Sequence, residues 1–535
     1  MKSYKIVIFI FSIILALICL SFYFPRIENP TIGAITFHFP SFKDMTQKTK
    51  IHRKNMDEIL RAMEEIRLEE EYHKLQMQIK DSTLMAIADS IEFYHSKIFH
   101  GTNKLYLPYN DMHFFDSLFA EMENSSGNKR IMRVLHYGDS QIETDRISSS
   151  IRTFFQKRFG GGGPGMIPLV QKIPASSVMQ RVSGNVSEYA VYGNAEKLSD
   201  KNYGLMTKCH KINGTVNLSI TPTSFKNVDE KLKQISSVSV LFKNNSGNFI
   251  ATLSDKKTNY LASDTCKILG ISTLSWTIDS TSSNLNLKLT GNAEIFGIML
   301  DDGYGVSVDN IPMRGTSGTL FTNIDRAAMK EMYELSDVAM IILQFGGNSV
   351  PGLSGKKSIS YYTSRIASQI NYFKKINPDI KILFVGPSDM STRVNGVMAT
   401  YPLLPDFANA IKDTVTAHGC AFWNMFEAMG GKNSMTTWVE NGYASTDHIH
   451  FTPKGAKTVG DNIANTLSVF YDLYKYKQSV PTELYSEALY LFLNPADTTS
   501  INAAHDTISY DFDKIVPDSI FFKQDTIIYE SNSTY

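Results

Sequence analysis

Apolar residues recur along this chain in two patterns, which predict where strands and helices alternate. Ile131 to Tyr137 is a short apolar, partly β-branched run that predicts a buried strand. Gly138 permits a sharp turn, and a helix ending at Gly160 is predicted directly afterwards from apolar residues at helical spacing: Ile142, Ile147, Ile151, Phe154 and Phe155. Ser140 therefore lies between the end of a strand and the start of a helix, where α/β proteins place their chemistry.

The same alternation of strand and helix returns in the C-terminal half. The predicted strands are residues 338–345, 381–385 and 421–424, and the predicted helices are residues 361–376, 403–418 and 453–474. Strands that alternate with helices form a parallel sheet covered on both faces. We therefore expect an α/β fold with three layers, helix on sheet on helix, built from residues 126–174 and 301–477.

The segment between these two parts, residues 175–300, has a different texture. It is rich in Ser, Thr and Asn and contains short alternating runs at residues 215–220, 237–242 and 285–289. Such runs predict an antiparallel β-sandwich inserted into the α/β domain. A jelly-roll-like, carbohydrate-binding insert and a purely structural insert are the two alternatives.

An apolar segment opens the chain. Lys2 and Lys5 precede a run from Ile6 to Phe24, close to the roughly 20 residues that a membrane-spanning helix needs. No small-residue cleavage pattern follows, so residues 1–25 predict an uncleaved membrane anchor, with the rest of the chain exported to the periplasm or outside the cell. A cleaved signal peptide with an unusual site is the alternative, and it leads to the same location.

Two further segments flank the predicted domains. Residues 26–125 are predicted to be a helical stalk or linker, because Asp44 to about His100 is rich in helix formers and has no Pro or Gly. A helical hairpin packed on the globular part is the alternative to a stalk. Residues 478–535 are acidic and predict a peripheral or loosely ordered tail.

Composition narrows the classes of function. The 535 residues include 53 Lys or Arg and 53 Asp or Glu, so no net charge favours a nucleic acid, and no such partner is expected. The chain has only four cysteines. Cys209 and Cys266 are a candidate disulfide if the compartment is oxidising, although sequence alone does not establish the pairing.

Ser140 gains chemical meaning only if a base lies near it, because Asp139-Ser140 alone is equally typical of a helix N-cap. Asp447 and His450 precede the helix predicted at Pro453, and their spacing lets one turn aim the carboxylate at the imidazole. We predict Ser140 as nucleophile, His450 as base and Asp447 as its partner, while His448 should diverge. Two histidines and one Asp are a thin metal-ligand set, so neither a metal nor a cofactor is expected.

Donors for a developing oxyanion are also present in predicted loops at the same sheet edge. The backbone N–H of Ser140 lies at a helix start, and Gly315 offers a second N–H in a predicted turn. Asn348 follows the glycines after the strand of residues 338–345, where a side-chain amide can point over the edge. These three residues are the predicted oxyanion hole.

These residues together resemble the motifs of the SGNH hydrolases, also called the GDSL family. Gly138-Asp139-Ser140, Gly315, Gly346-Gly347-Asn348 and Asp447-His448-Ile449-His450 follow the family's order. The resemblance covers residues 130–170 and 295–475 and implies the same triad and oxyanion roles. Gln141 replaces the leucine of the family name, and Ser349 replaces the aspartate that follows the asparagine. The β-rich insert makes the chain similar to peptidoglycan O-acetylesterases.

The expected function is a serine esterase that removes O-acetyl groups from a cell-envelope or extracellular polysaccharide through an acyl-enzyme on Ser140. An O-acetyltransferase with the same triad, supplied by a membrane acyl-donor partner, is the alternative. A third interpretation is that the protein is a catalytically silent glycan-binding protein of the cell envelope. The expected partners are an acetylated glycan and, through the N-terminal helix, a membrane.

Overall fold

The computed structural model describes residues 3–23, 31–32, 35–36, 56–101, 103–222, 229–255, 259–278 and 284–494. The helices are α1 Ser3–Tyr23, α2 Met56–Phe99, α3 Asp116–Asn124, α4 Ser148–Phe159, α5 Arg326–Ser336, α6 Lys356–Ile376, α7 Leu404–Ala417, α8 Met425–Ala428, α9 Ser434–Glu440, α10 Pro453–Ser479 and α11 Thr482–Leu493. The chain divides into two compact units, Met1–Ser82 and Thr83–Tyr535.

The first two strands belong to the first unit, and the others belong to the second. They are β1 Thr31–Ile32, β2 Ile35–Thr36, β3 Leu105–Tyr106, β4 Ile131–Gly138, β5 Gly165–Ile167, β6 Val178–Ser183, β7 Val186–Ala190, β8 Lys208–Pro222, β9 Ser237–Asn244, β10 Phe249–Asp255, β11 Tyr260–Cys266, β12 Gly270–Thr277, β13 Leu285–Asp301, β14 Gly305–Pro312, β15 Val338–Gln344, β16 Lys381–Val385, β17 Ser391–Val394, β18 Val397–Thr400 and β19 Ala421–Trp423.

The first unit contains the apolar helix α1. Its segment Tyr4–Phe22 is 19 residues long and apolar enough to cross a membrane, a property that signal sequences share. Strands β1 and β2 form an antiparallel pair, with Thr31 opposite Thr36. The unit ends within α2, which continues into the second unit.

A six-stranded sheet forms the centre of the second unit, in the order β14-β4-β15-β16-β19-β3. All neighbours pair in parallel except β3, which runs antiparallel to β19. Because the pairing register sets Gly138 opposite Gln344 and Pro312, strands β4, β14 and β15 end at one edge. The loops that follow these strands therefore meet there, which is where the predicted site residues lie.

Helices cover this sheet on both faces, as expected, and the fold class is confirmed. Along β4, Met132 and Val134 face a core that includes residues of α4 and α10. Leu135 and Tyr137 face the opposite core, which includes residues of α5, α6 and α7. This alternation follows from the two-residue period of a strand buried on both sides.

The insert between β4 and β14 is an antiparallel sheet of nine strands with its own apolar core. The 17-residue strand β13 organises it. The first part of β13 pairs with β8 and β10, while its last part pairs with β9 and β5. The antiparallel β-structure expected for this segment is thus present, and β5 shows that the sheet begins before residue 175.

The structure differs from the expected stalk and tail near their borders with the α/β unit. Strand β3 joins the central sheet, and the α2 residues Leu84 and Ile91 are buried in the core beside α10. At the other end, α11 packs Tyr485 and Ala488 into the same core, where a loose tail was expected. Residues 26–30, 33–34, 37–55 and 102 of the expected stalk or linker, and residues 495–535 of the tail, lie outside the described residues.

The candidate disulfide is not formed in this structure. Cys209 and Cys266 are both buried free thiols. Cys209 belongs to the core beside α6, and Cys266 belongs to the core of the insert. The two residues therefore contribute as small apolar side chains.

Candidate active site

The nucleophile side of the site is a tight turn at the end of β4. A Cβ atom on Gly138 would lie 2.9 Å from the side chain of Ile142, so the turn needs a glycine. The carboxylate of Asp139 accepts a hydrogen bond of 2.9 Å from the backbone N–H of Gln141. This bond caps the segment that opens with Ser140.

The segment after Ser140 differs from the expected helix. Ser140–Asp145 is a short 3₁₀ segment, and the α-helix begins only at Ser148. Thr144 and Asp145 have φ values of 62° and 65°, a left-handed conformation that an α-helix cannot accommodate. The apolar spacing predicted the helix but not this interruption, because the interruption is a backbone feature.

The structure brings Ser140, His450 and Asp447 together. Ser140 Oγ lies 3.0 Å from His450 Nε2, and His450 Nδ1 lies 2.8 Å from Asp447 Oδ2. The second oxygen of Asp447 accepts the backbone N–H groups of Ile449 and His450 at 2.9 and 3.0 Å. One carboxylate thus fixes both the loop and the imidazole ring, an arrangement that can pass the Ser140 proton to Nε2.

These hydrogen bonds also set the charge state of Asp447. Partial burial raises its pKa, but the backbone and ring donors of His450, with the N–H of Ile449, outweigh that effect, so its pKa lies below the usual value. The side chain is 47% exposed. Asp447 is therefore an ionised carboxylate beside the imidazole at neutral pH.

His448 is not among the residues that line the cleft at Ser140. Its φ is 57°, and its carbonyl accepts the N–H of Ser391 at 3.2 Å. Its Nδ1 is buried and has no hydrogen-bond partner among the residues that the structure describes. Within those residues, no group of three or more His, Cys, Asp or Glu is arranged to hold a metal ion.

Gln141 and Arg146 join the nucleophile segment to the histidine loop, and sequence reasoning missed both. Gln141 Nε2 donates to the carbonyl of Ile449 at 2.7 Å, and its Oε1 accepts the N–H of Phe451 at 3.3 Å. Arg146 donates to the carbonyls of Ser140 and Phe451 at 2.6 and 3.1 Å. The departure at Gln141 from the family leucine was the available signal, because a leucine makes none of these bonds.

Asn348 lies beside the nucleophile turn, as its position after β15 predicted. Its Nδ2 donates to Asp139 Oδ2 at 3.0 Å and to the carbonyl of Thr316 at 3.1 Å. Both hydrogens of the amide are therefore engaged. An oxyanion at this amide has to share or replace one of the two bonds, which a sequence motif does not reveal.

Asp139 links the two halves of this arrangement, since it also holds the N–H of Gln141. The residue is 5% exposed. Burial raises the pKa of its carboxyl to about 6, although the Gln141 N–H, the nearby His450 and the Asn348 amide act in the opposite direction. A buried carboxylate that accepts donors on both oxygens fixes their positions.

Gly315 occupies the exposed turn after β14, with a φ of 72°. The turn closes through the N–H of Thr316, which donates to the carbonyl of Met313 at 3.1 Å. Gly315 is not among the residues that line the cleft at Ser140. Its role as an oxyanion donor therefore stays a prediction.

The cleft at Ser140 has a volume of about 180 Å³. Ser140, Asn348 and His450 form its polar side. Its apolar side chains are Phe345, Pro351, Pro387, Met390, Met425 and Ile449. This volume lies below the roughly 300–1,000 Å³ of sites for drug-sized ligands, so the cleft suits a small acyl group.

Gln344, the last residue of β15, also lines the cleft. Its Oε1 lies 3.1 Å from His136 Nε2. Its Nε2 is buried and has no partner among the described residues. The sequence did not identify this glutamine as a site residue, because a polar residue at the end of a strand is common.

Comparisons with known proteins give the fold but no family assignment from sequence. No family model matches the chain, and no curated relative matches it. Among solved structures, a family two carbohydrate esterase from Clostridium thermocellum with cellohexaose gives a TM-score of 0.22 at 10% identity, covering 53% of this chain and 100% of that chain. An acetyl xylan esterase gives 0.24 at 13% identity, covering 30% and 81%. Both scores are too low to support an argument.

A peptidoglycan O-acetylesterase structure is more informative. It aligns with a TM-score of 0.56 and 18% sequence identity, over 70% of this chain and 100% of that chain. At this identity the likeness concerns architecture, which agrees with the fold class expected from the motifs. The chain shares the fold of that structure over the aligned part.

Proposed function

We propose that this protein is a serine esterase that removes O-acetyl groups from a cell-envelope or extracellular polysaccharide. The observation that carries the proposal is the hydrogen-bonded chain from Asp447 through His450 to Ser140, with distances of 2.8 and 3.0 Å. A serine hydroxyl held by an imidazole, which is held in turn by a carboxylate, is an activated nucleophile.

In the proposed reaction, Ser140 Oγ attacks the acetyl carbonyl while His450 Nε2 accepts its proton. Asp447 keeps the other ring nitrogen protonated and stabilises the imidazolium. The C–O bond to the sugar then breaks, and His450 returns the proton to the leaving hydroxyl. Water activated by His450 hydrolyses the acetyl-enzyme and releases acetate.

The negative charge of each tetrahedral intermediate is on its oxyanion. The groups that we assign as hydrogen-bond donors to this oxyanion are the Ser140 N–H, the Asn348 amide and the Gly315 N–H. Asn348 supports this assignment best, because Asp139 holds its amide beside the nucleophile turn. The oxyanion would compete with Asp139 and Thr316 for the two amide hydrogens. Such a donor acts most strongly when its position is fixed before reaction.

Three observations favour a small ester on an extracytoplasmic glycan. The cleft of about 180 Å³ has room for an acetyl group. The structural neighbour with a TM-score of 0.56 acts, by its name, on O-acetylated peptidoglycan. The apolar segment Tyr4–Phe22 fits attachment to a membrane, with the catalytic unit exported.

The test uses the full-length protein in detergent with O-acetylated polysaccharide and with a small acetyl ester. We expect acetate release that Ser140→Ala abolishes without lowering the unfolding temperature. Undiminished turnover in that variant contradicts the triad. Acetyl transfer to an added oligosaccharide, with little acetate released, makes the protein an acetyltransferase, whose acyl donor would be a membrane partner. Glycan binding with neither activity makes it a binding protein.

A further inference from the structure

A second cavity lies beside the Ser140 cleft, between the α/β sheet and the β-insert, with a volume of about 450 Å³. One wall is formed by Glu143–Asp145, Asn310–Pro312 and Arg314 of the α/β part. The facing wall includes Glu188, Tyr192 and Lys208 of the insert. This volume falls within the roughly 300–1,000 Å³ of small-molecule sites.

The charges that line this cavity do not balance. Three ion pairs lie in its walls: Arg314 with Glu143 at 2.6 Å, Arg152 with Asp145 at 2.6 Å and Lys172 with Glu188 at 2.7 Å. Lys208 is the remaining charged side chain of the lining. Its ammonium group has no hydrogen bond or ion pair within the described part of the chain, although the charge of Glu188 acts on it. The cavity therefore carries one uncompensated positive charge.

An unpaired ammonium in this position is costly. Burial lowers the pKa of Lys208, while the charge of Glu188 acts in the opposite direction. Partly buried charges are normally paired or hydrogen-bonded, because removing them from water costs free energy. A single anionic group in the cavity would supply the missing partner. A second anionic group would meet no further free cation among the lining residues.

The walls also hold acceptors without donors. Gln171 Oε1 and Asn310 Oδ1 are buried and have no hydrogen-bond partner among the described residues. Hydroxyl groups of a ligand are suitable donors for such oxygens. Tyr192 adds an aromatic side chain to the same wall. The lining therefore fits a ligand with one anionic group, several hydroxyl groups and a partly apolar body. An acidic sugar has these three features.

The cavity and the cleft share one short segment. Ser140 and Gln141 line the cleft, and the next residues of the same 3₁₀ segment, Glu143 to Asp145, line the cavity. We propose that this cavity binds a sugar unit that carries one carboxylate, with Lys208 as the residue that pairs with it. The proposal deepens the proposed function, on which it rests only for the statement that this sugar belongs to the same glycan as the ester.

Binding is measured on the full-length protein in detergent, with glucuronic acid as the acidic sugar and glucose as its neutral counterpart. We expect saturable binding of glucuronic acid and much weaker binding of glucose. Lys208→Gln should weaken glucuronic acid binding by about tenfold or more, since a hydrogen bond to a charged group is lost. Lys208→Arg should retain part of it. Lys288→Gln is the matched control, because Lys288 is an exposed lysine of the same insert.

Activity on a small acetyl ester separates this inference from the proposed function. Lys208 does not line the cleft at Ser140, so Lys208→Gln should hydrolyse such an ester at the normal rate. Ester hydrolysis without Lys208-dependent binding of glucuronic acid contradicts the acidic-sugar site and agrees with the esterase function. Binding of glucuronic acid without ester hydrolysis contradicts the esterase function and agrees with the acidic-sugar site. Inorganic phosphate or acetate bound as tightly as glucuronic acid, with the same dependence on Lys208, overturns the assignment to a sugar.

Discussion

The two sides of the candidate site are built in opposite ways. On the nucleophile side, Asp139 is 5% exposed, and each of its carboxylate oxygens accepts a hydrogen bond from a donor within the protein. On the base side, Asp447 is 47% exposed and holds His450 through a single local turn. Burial and long-range bonds fix the first side, while a short stretch of sequence fixes the second.

This difference appears in the charge states of the two carboxyls. Burial raises the pKa of Asp139 to about 6, whereas the donors of His450 and Ile449 bring the pKa of Asp447 below its usual value. Asp447 can therefore stabilise an imidazolium across neutral and mildly acidic pH. Asp139 is better suited to holding other groups in place, since its charge is poorly solvated.

The largest effects are expected on the base side. His450→Ala should be as damaging to ester hydrolysis as Ser140→Ala, because only His450 Nε2 lies within hydrogen-bond distance of Ser140 Oγ among the described residues. The double variant should be little worse than either single one, since residues that act as one unit are strongly non-additive. Steady-state kinetics on a small acetyl ester measure all three.

His448→Ala is the matched control for that experiment, because it removes the neighbouring imidazole and leaves Asp447 in place. We expect a mild change in kcat/KM. A dead His448→Ala beside an active His450→Ala would reverse the assignment of the base. Equal losses in both would indicate that the loop, and not one ring, is what the substitutions disturb.

A smaller effect is expected on the nucleophile side. Asn348→Ala should lower kcat by roughly 100- to 1,000-fold, the usual cost of one oxyanion donor. Because Asn348 also bonds to Asp139 and Thr316, Asn348→Asp provides a variant of similar shape that keeps an oxygen but loses the donor. A kcat within twofold of the wild-type value in Asn348→Ala would move the oxyanion role to another group.

The sequence predicted that Asp447 and His450 lie close together because the determinants of this contact are local. Asp447 and His450 are three residues apart, and the hydrogen bonds between them lie within one turn. The strand before Ser140 and the helix after His450 were predicted from apolar spacing alone. The edge at which they meet then follows from parallel pairing of the strands.

The nucleophile side was predicted less completely because its determinants are distant or lie in the backbone. Gln141 contacts Ile449 across 308 positions of sequence, and a single chain gives no signal for such a pair. The left-handed residues Thr144 and Asp145, which delay the helix to Ser148, leave no mark on hydrophobic spacing. The sequence did not predict the cavity at Lys208, because the ion pairs that leave this lysine without a partner are known only from the structure.

The smallest expected effect concerns stability and tests the contrast between the two carboxyls directly. The folded-state pKa of Asp139 is raised to about 6 from 3.8, so folding favours its protonated form and its contribution to stability falls as pH rises between about 4 and 6. Asp139→Asn removes that loss. The unfolding temperature of the variant minus that of the wild type should therefore increase as pH rises from about 4 to 6.

Asp447→Asn should show the opposite dependence on pH. A lowered folded-state pKa gives stability that is present above about pH 4 and is lost as pH falls below it. Thermal unfolding of the full-length protein from pH 2 to 7 measures both differences, because the Asp139 window lies above about pH 4 and the Asp447 window lies below it. A difference for Asp139→Asn that does not change with pH would contradict an ionisable, buried Asp139.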